Sequence, residues 1–186
     1  MIKHPCIITF CKNFYYSVIF LAAILLLYAC PFSSPYKLDK DALIPVDDVI
    51  LGKWATRTMN KKGDMQPIKM MLTKKNDTEY NISFTGDLSD LKSYKIVTED
   101  SIKGSAYMSI VADRPFLNVE IKGQTYISAL IYKNDTLSLM PLMDGFTAKY
   151  IKSDEALRLA VEVHCKTRVF PRFDEQFCLI DMVRVN

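Results

Sequence analysis

Apolar and polar residues alternate with a period of two through most of the chain after Asp47. The clearest segment is 80–85, in which Tyr80, Ile82 and Phe84 alternate with polar side chains. Alternation over five or more residues is typical of a β-strand with one buried face. The same pattern predicts further strands with these shared faces: Ile50, Gly52 and Trp54; Ile68, Met70 and Leu72; Ala106, Met108 and Ile110; Leu117, Val119 and Ile121; Ile127, Ala129 and Ile131; Leu137 and Leu139.

Turn-forming residues such as Asn76-Asp77, Lys122-Gly123 and Asn134-Asp135 separate these strands. Connections this short force consecutive strands to be antiparallel neighbours. A last strand at 177–185 can pair with the first and remove the exposed edges. We therefore predict a mainly β fold, an antiparallel up-and-down barrel of about eight strands with a C-terminal helical segment.

The helical segment is predicted between Asp144 and Lys166, where apolar residues recur at spacings of three and four. Ser153 or Asp154 is a candidate N-cap in the middle of this segment. An alternative is that residues 157–165 form a strand, which would place Cys165 and Cys178 opposite each other in a hairpin.

The N-terminus has basic residues followed by an apolar run, 14–29, which ends before Cys30 and Pro31. This layout is typical of a secretory signal and is short for a membrane-spanning helix, with an uncleaved N-terminal anchor as the alternative. Leu27, Ala29 and Cys30 resemble the bacterial lipobox, and the resemblance implies that Cys30 is lipidated and becomes the new N-terminus. Because Pro31 is not aspartate, resemblance to enteric lipoproteins implies an outer-membrane location in the cell envelope.

Three regions follow from this interpretation. We predict a lipoprotein signal peptide at 1–29, a lipidated tether at 30–46 and a barrel domain at 47–186. The tether assignment depends on the three prolines and two serines of 31–46, which are typical of a spacer. In an oxidising compartment Cys165 and Cys178 form a candidate disulfide, with two unpaired buried thiols as the alternative.

Gly52-Lys53-Trp54 at the first strand resembles the Gly-x-Trp signature of lipocalins and other calycins. The resemblance implies that Trp54 closes one end of the barrel and that an arginine from the last strand packs on its ring. Arg184 is the candidate for this contact, and Arg57 is its rival. The stretch 107–142, followed by a helical tail, is similar to lipocalin-like lipoproteins of Bacteroidetes.

Candidate catalytic and metal-binding chemistry is sparse in this sequence. His164 is the one histidine after the signal, and a metal site needs two or three further ligands. The 24 basic and 21 acidic residues give no strongly basic face of the kind that nucleic acids require. We therefore predict no enzyme activity, cofactor, metal or nucleic-acid partner.

Two functions fit this sequence. The first is binding of a small apolar ligand inside the barrel, with Met70, Tyr80, Phe84, Met108 and Tyr126 as candidate cavity residues. The second is a filled barrel that binds an envelope protein, for instance in assembly or in immunity against a toxin. A membrane partner, through the lipid on Cys30, is common to both.

Overall fold

A computed structural model describes residues 33–56, 58–59, 65–66, 68–86, 88, 101–143, 151–167, 173–175 and 177–185. A short 3-10 helix (Asp48–Ile50) and one α-helix, α1 (Asp154–Lys166), accompany the strands. The strands are β1 (Ser33–Ser34), β2 (Gly52–Ala55), β3 (Thr58–Met59), β4 (Met65–Gln66), β5 (Lys69–Lys74), β6 (Glu79–Thr85), β7 (Ser101–Val111), β8 (Arg114–Ile121), β9 (Gln124–Lys133), β10 (Thr136–Pro141) and β11 (Leu179–Val185).

Eight of these strands form a closed antiparallel barrel, which confirms the predicted fold class. β2 pairs with β5, each strand from β5 to β10 pairs with the next, and β11 follows β10. The barrel closes because β11 returns to β2, with Arg184 opposite Trp54. Closure gives all eight strands partners on both sides, so they present no open sheet edge. The short pair β3–β4 forms a separate two-stranded sheet.

Three hairpins of the barrel have two-residue turns in which both central residues have positive φ. These are Ala112-Asp113, Lys122-Gly123 and Asn134-Asp135. Positive φ at both positions is what a type I′ turn requires, and its twist matches that of the flanking strands. The turn after β8 lies at one end of the barrel, which we call the open end. The turns after β7 and β9 lie at the other end, the closed end, together with the 3-10 helix.

The barrel interior is a continuous apolar core. It contains the alternating residues of β5 and β6 and their partners on the other strands. On β9, however, the prediction that Ile127, Ala129 and Ile131 point inward is wrong. Leu130 lies in the barrel core, whereas Ile127 and Ala129 are buried in a second apolar layer outside the wall. The pattern misleads here because β9 is apolar on both faces, so alternation does not identify the inner one.

The second layer is formed by α1 lying on the outer wall of the barrel. Its residues Leu157, Val161 and Cys165 are spaced by four, so they share one face of the helix and are buried. Ser153 is the N-cap, and its hydroxyl accepts a hydrogen bond of 3.1 Å from the amide of Ala156. The alternative prediction of a strand at 157–165 is therefore wrong. Residues 144–150, in the first part of the predicted helical segment, lie outside the described residues.

The N-terminal segment Ser33–Asp39, for which we expected a spacer, packs on the same outer wall. β1 pairs with the start of β9, with Ser33 opposite Tyr126. From there the segment crosses β8, where Leu38 is 1% exposed and its amide donates to the Asn118 side chain at 2.8 Å. The packed domain thus includes residues that precede the predicted boundary at Asp47.

Ion pairs and hydrogen bonds from α1 and the barrel fix this segment further. Asp154 of α1 accepts a hydrogen bond of 2.9 Å from the Lys37 amide. Arg158 of α1 contacts the Asp39 carboxylate at 2.6 Å and also donates to the carbonyl of Ile110 at 2.8 Å. Segment, helix and barrel wall are therefore joined in one layer.

Leu38→Ala tests whether this segment is an integral part of the domain. Removing a fully buried leucine side chain should lower the free energy of unfolding by about 2–5 kcal/mol. Leu43, which is 79% exposed, provides the matched control, and Leu43→Ala should change stability by less than about 0.5 kcal/mol. Urea unfolding followed by circular dichroism gives both values. Equal stability of the two variants would show that the segment is not docked.

Candidate functional site in the barrel

The closed end is organised around Trp54, the sole tryptophan of the chain. Its side chain is fully buried, and its indole Nε1 donates to the carbonyl oxygen of Ile50 at 2.9 Å. The structure brings Arg184 to this ring, with the guanidinium carbon 4.5 Å from the ring centroid. Such a contact between cation and ring stabilises by about 0.5–1 kcal/mol where the cation is exposed. Arg57 lies outside the described residues.

Arg184 also holds the 3-10 helix in place. It donates to the carbonyl oxygen of Val49 at 2.6 Å and to that of Leu51. Gly52 permits this approach, because a Cβ there would lie 2.7 Å from Arg184 Nη1 and because its φ is +125°. The residues 49–54 and Arg184 therefore form one cap across the closed end.

The candidate cavity residues occupy different depths of the interior. Met70 lies opposite Trp54 on one neighbouring strand and opposite Phe84 on the other. Met70 and Tyr80 have no exposed surface and are therefore out of contact with solvent. Phe84 is 9% exposed, Met108 is 8% exposed and Tyr126 is partly buried. The interior is thus filled around Met70 and Tyr80, and a ligand site there would require side chains to move.

Tyr80 has a structural partner at the closed end. Its hydroxyl oxygen accepts a hydrogen bond of 2.8 Å from the amide of Asp47. Burial of the ring, with Asp47 and Asp48 nearby, raises the pKa of this hydroxyl above its ordinary value. Tyr80 therefore remains protonated in the physiological range. Its hydrogen bond with Asp47 helps to hold the segment before β2 across the closed end.

Apolar side chains that pack against the core are partly exposed at both ends of the barrel. At the closed end these are Ile44, Val46 and Leu51, in the segment that covers that end before β2. The open end has its own set. Ile68 precedes β5, Ile121 ends β8, and Tyr126 lies near the start of β9. Phe84, near the end of β6 at the same end of the barrel, is 9% exposed. We call this set, Ile68, Phe84, Ile121 and Tyr126, the open-end cluster.

Sequence reasoning missed a polar network on the outer wall. The Asn118 side chain donates to Ser109 Oγ at 2.8 Å and accepts from the amide of Leu38. The Tyr107 hydroxyl donates to the carbonyl of Asp39, and burial followed by the Asp39 charge raises its pKa strongly. The sequence does contain one indication of this network. Asn118 stands between apolar residues, in a strand where both faces are largely apolar.

The predicted disulfide is not present, since Cys165 and Cys178 are both free thiols. Cys165 points into the apolar layer beneath α1, whereas Cys178 immediately precedes β11. Burial raises the pKa of the Cys165 thiol. Burial, with Asp174 and Glu175 nearby, raises the pKa of Cys178 to about 11. Both groups are therefore thiols rather than thiolates at neutral pH.

His164, the candidate for metal or acid–base chemistry, is bound to its own helix. Its Nδ1 lies 2.8 Å from the carbonyl oxygen of Ala160, one turn earlier in α1. In the described part of the chain, no group of three or more His, Cys, Asp or Glu residues is arranged to hold a metal ion.

The lipidation candidate Cys30 and the signal segment 1–29 lie outside the described residues. Among the residues that the structure does describe, we find no helix with the length and apolarity needed to cross a membrane.

Arg184→Lys tests the cap at the closed end. Lysine keeps the positive charge but loses the planar fork that reaches two carbonyl groups. We expect the free energy of unfolding to fall by about 1–2 kcal/mol, together with a shift in the emission of Trp54. Lys53→Ala, an exposed change beside Trp54 in β2, should leave both readouts nearly unchanged. An Arg184→Lys protein with native stability would refute a structural role for this arginine.

The two thiols can be tested through the pH dependence of alkylation. Iodoacetamide reacts with thiolates, so reaction of the folded protein at pH 8 should be much slower than that of a free cysteine with pKa near 8.5. The rate at Cys178 should rise as the pH approaches its pKa of about 11. Unfolding in urea should raise the alkylation rate of both cysteines to that of a free cysteine. A mass increase of two hydrogens on reduction would instead show a disulfide.

Similarity to other proteins does not assign this chain to a family. Comparisons with protein-family models, with curated proteins and with solved structures yield no match. The functional assignment must therefore come from the geometry of the barrel and from the sequence motif at Cys30.

Proposed function

We propose that this protein is a lipid-anchored lipoprotein of the bacterial cell envelope that binds a small apolar ligand at the open end of its barrel. The anchor would be Cys30, and the location the outer membrane. The observation that carries the ligand proposal is a difference in burial inside the barrel. Met70 and Tyr80 have no exposed surface, whereas Ile68, Ile121 and Tyr126 of the open-end cluster are partly exposed.

This difference favours binding on the open-end cluster rather than in the filled interior. An apolar ligand on the open-end cluster would remove exposed apolar surface of Ile68, Ile121 and Tyr126 from water. Each square ångström buried contributes about 25 cal/mol, before the cost of immobilising the ligand. The cap formed by Trp54 and Arg184 supports this arrangement, because it holds the far end shut while the open end adapts.

We propose binding without catalysis. Tyr80, Tyr107 and His164 are each engaged in hydrogen bonds that hold the fold together. The raised pKa values of Tyr80, Tyr107 and both thiols keep them in their neutral forms. Hydrogen bonds of this kind contribute to the stability of the barrel.

Mass spectrometry of the protein isolated from membranes tests anchor and ligand together. The intact mass should show acyl chains on Cys30 with residues 1–29 removed, and native conditions should retain a small apolar molecule. Cys30→Ala should abolish lipidation and release the domain from membranes. An unlipidated chain that keeps its N-terminus would refute the anchor, and a clean ligand-free mass would count against the ligand.

Binding of a fluorescent apolar probe, N-phenyl-1-naphthylamine, then locates the site. Ile121→Trp fills space in the open-end cluster and should weaken binding about tenfold, equivalent to ~1.4 kcal/mol. Ile110→Trp adds the same side chain near the end of β7 at the closed end, where Ile110 is exposed, and should leave binding unchanged. Equal effects of the two substitutions would show that the probe does not bind at the open end.

The second candidate function is binding of an envelope protein by a filled barrel. Three apolar side chains on the outer wall favour it, because Ile131, Ile180 and Val183 are each nearly half exposed. They belong to β9 and β11, which flank β10. Apolar side chains exposed on the same wall of a sheet are typical of protein contacts. A ligand-free barrel together with a co-purifying protein that Ile131→Lys removes would favour this function.

A further inference from the structure

We infer that the ligand carries a neutral hydroxyl or carbonyl group on its apolar body, and that Ser128 of β9 binds this group beneath the open-end cluster. The inference rests on the proposed ligand-binding function and deepens it, because it names the chemical class of the molecule that the barrel takes up. It also assigns a role in specificity to a residue that the sequence patterns did not single out.

Ser128 faces the interior of the barrel. It lies opposite Leu117 of β8 and opposite Pro141, the last residue of β10. Residues two apart in a strand share a face of the sheet, and Leu130, two residues further along β9, belongs to the barrel core. Leu117 belongs to the same core. The side chain of Ser128 therefore points into the barrel and not into the outer layer beneath α1.

Ser128 lies directly below the open-end cluster. Tyr126 of that cluster is on the same face of β9, two residues nearer the start of the strand, which corresponds to about 7 Å between the two residues. β10 ends opposite Ser128, so this residue lies at the level where β10 leaves the wall. A molecule on the open-end cluster reaches Ser128 by extending two residues deeper, where a bound group would be out of contact with water because Ser128 is 3% exposed.

The hydroxyl of Ser128 has no hydrogen-bond partner among the residues that the structure describes. The other buried serines of this part of the chain are all bonded: Ser34 accepts from the Tyr36 amide, Ser109 from the Asn118 side chain and Ser138 from the Asp181 amide, at 2.8–2.9 Å. A buried hydroxyl without a partner is destabilising, because it has given up its hydrogen bonds to water. A ligand group that bonds to Ser128 removes this cost.

Two further buried hydroxyls do not compete with Ser128 for this role. Thr56, which directly follows β2, donates to the carbonyl oxygen of Ile180 at 3.5 Å. Thr125 is buried as well, but it is three residues from Ser128 and therefore lies on the opposite face of β9, where it pairs with Ser34 of β1. Ser128 is thus the buried hydroxyl that the barrel offers to a molecule at its open end.

The surroundings of Ser128 favour a neutral group over a charged one. The described residues of the barrel core are hydrophobic, and none of the described side chains that are buried is charged. A carboxylate or ammonium group beside Ser128 would lose its hydration without gaining an opposite charge. A hydroxyl or carbonyl loses less, and serine can pair with either one because its hydroxyl both donates and accepts.

Isothermal titration calorimetry with three naphthalenes tests the chemical class. 2-Naphthol, 2-methylnaphthalene and 2-naphthoate share one apolar body and differ in carrying a neutral hydroxyl, a methyl group or a carboxylate. Ser128→Ala should lower the affinity for 2-naphthol relative to that for 2-methylnaphthalene about tenfold, because 2-naphthol alone of these two loses a partner. Ser138→Ala removes the same hydroxyl on the outer face of β10, opposite Ile131, and should leave this ratio unchanged. The wild-type protein should bind 2-naphthoate at least about tenfold more weakly than 2-naphthol.

Thermal unfolding without a ligand provides a readout that a purely structural serine would move in the opposite direction. Ser128→Ala should leave the midpoint unchanged or raise it, because no hydrogen bond is lost. Ser138→Ala removes the acceptor of the Asp181 amide and should lower the midpoint by about 2–4 °C. A loss of the same size in Ser128→Ala would show that this hydroxyl has a partner within the protein, and would overturn its assignment to a ligand.

The outcomes separate this inference from the function on which it rests. A wild-type protein that binds neither N-phenyl-1-naphthylamine nor any of the three naphthalenes refutes the ligand-binding function itself. Binding of N-phenyl-1-naphthylamine, together with an unchanged ratio in Ser128→Ala or with no binding of the naphthalenes, overturns the role of Ser128 alone. Tighter binding of 2-naphthoate than of 2-naphthol overturns the preference for a neutral group.

Discussion

The pairing of β11 with β2 is the constraint on which the rest of the structure depends. It joins the last strand to the first strand of the barrel, with Arg184 opposite Trp54. Without this pairing, both strands would expose a row of unsatisfied backbone groups. The same arginine packs on the indole and binds two carbonyl groups of the segment before β2. Arg184 therefore takes part in both closures, through its backbone in the sheet and through its side chain at the barrel end.

The barrel wall at β8 and β9 is buried on both faces, and this connects the fold to the proposed function. Its inner face lines the core, and its outer face is covered by α1 and by the N-terminal segment. Covering this wall fixes the point at which the chain arrives from Cys30. The outer layer thus determines where the proposed lipid anchor would join the domain, because it holds Ser33 opposite Tyr126 near the start of β9.

The barrel could be predicted from the sequence because the local signals agree with each other. Alternation gave the strands from β5 to β8, and turn residues such as Asn134-Asp135 gave their antiparallel order. The outer layer could not be predicted in the same way. Leu38 stands among prolines and charged residues that resemble a spacer, and its burial depends on Asn118, 80 positions away. Likewise, the inner face of β9 depends on what covers the outer one, which alternation does not report.

For the site, sequence patterns placed Trp54 and Arg184 at the two strands that the structure pairs. They did not separate Met70 and Tyr80, which are sealed in the core, from Tyr126 at the open end. The difference depends on depth along the barrel axis, and side-chain alternation contains no information on depth. The cysteines illustrate the same limit, because their spacing permits a bridge, whereas Cys165 packs in the apolar layer beneath α1 and both thiols are free.

Hydrogen exchange of the backbone amides in β2 and β11, followed by NMR, tests barrel closure most directly. If Arg184 and Val185 are paired with Trp54 and Lys53, the bonded amides of these strands should exchange only in larger openings of the barrel, with protection close to that of β5 and β6. Exchange of the β11 amides at the rate of an unstructured peptide, while β5 and β6 stay protected, would contradict closure and the account built on it.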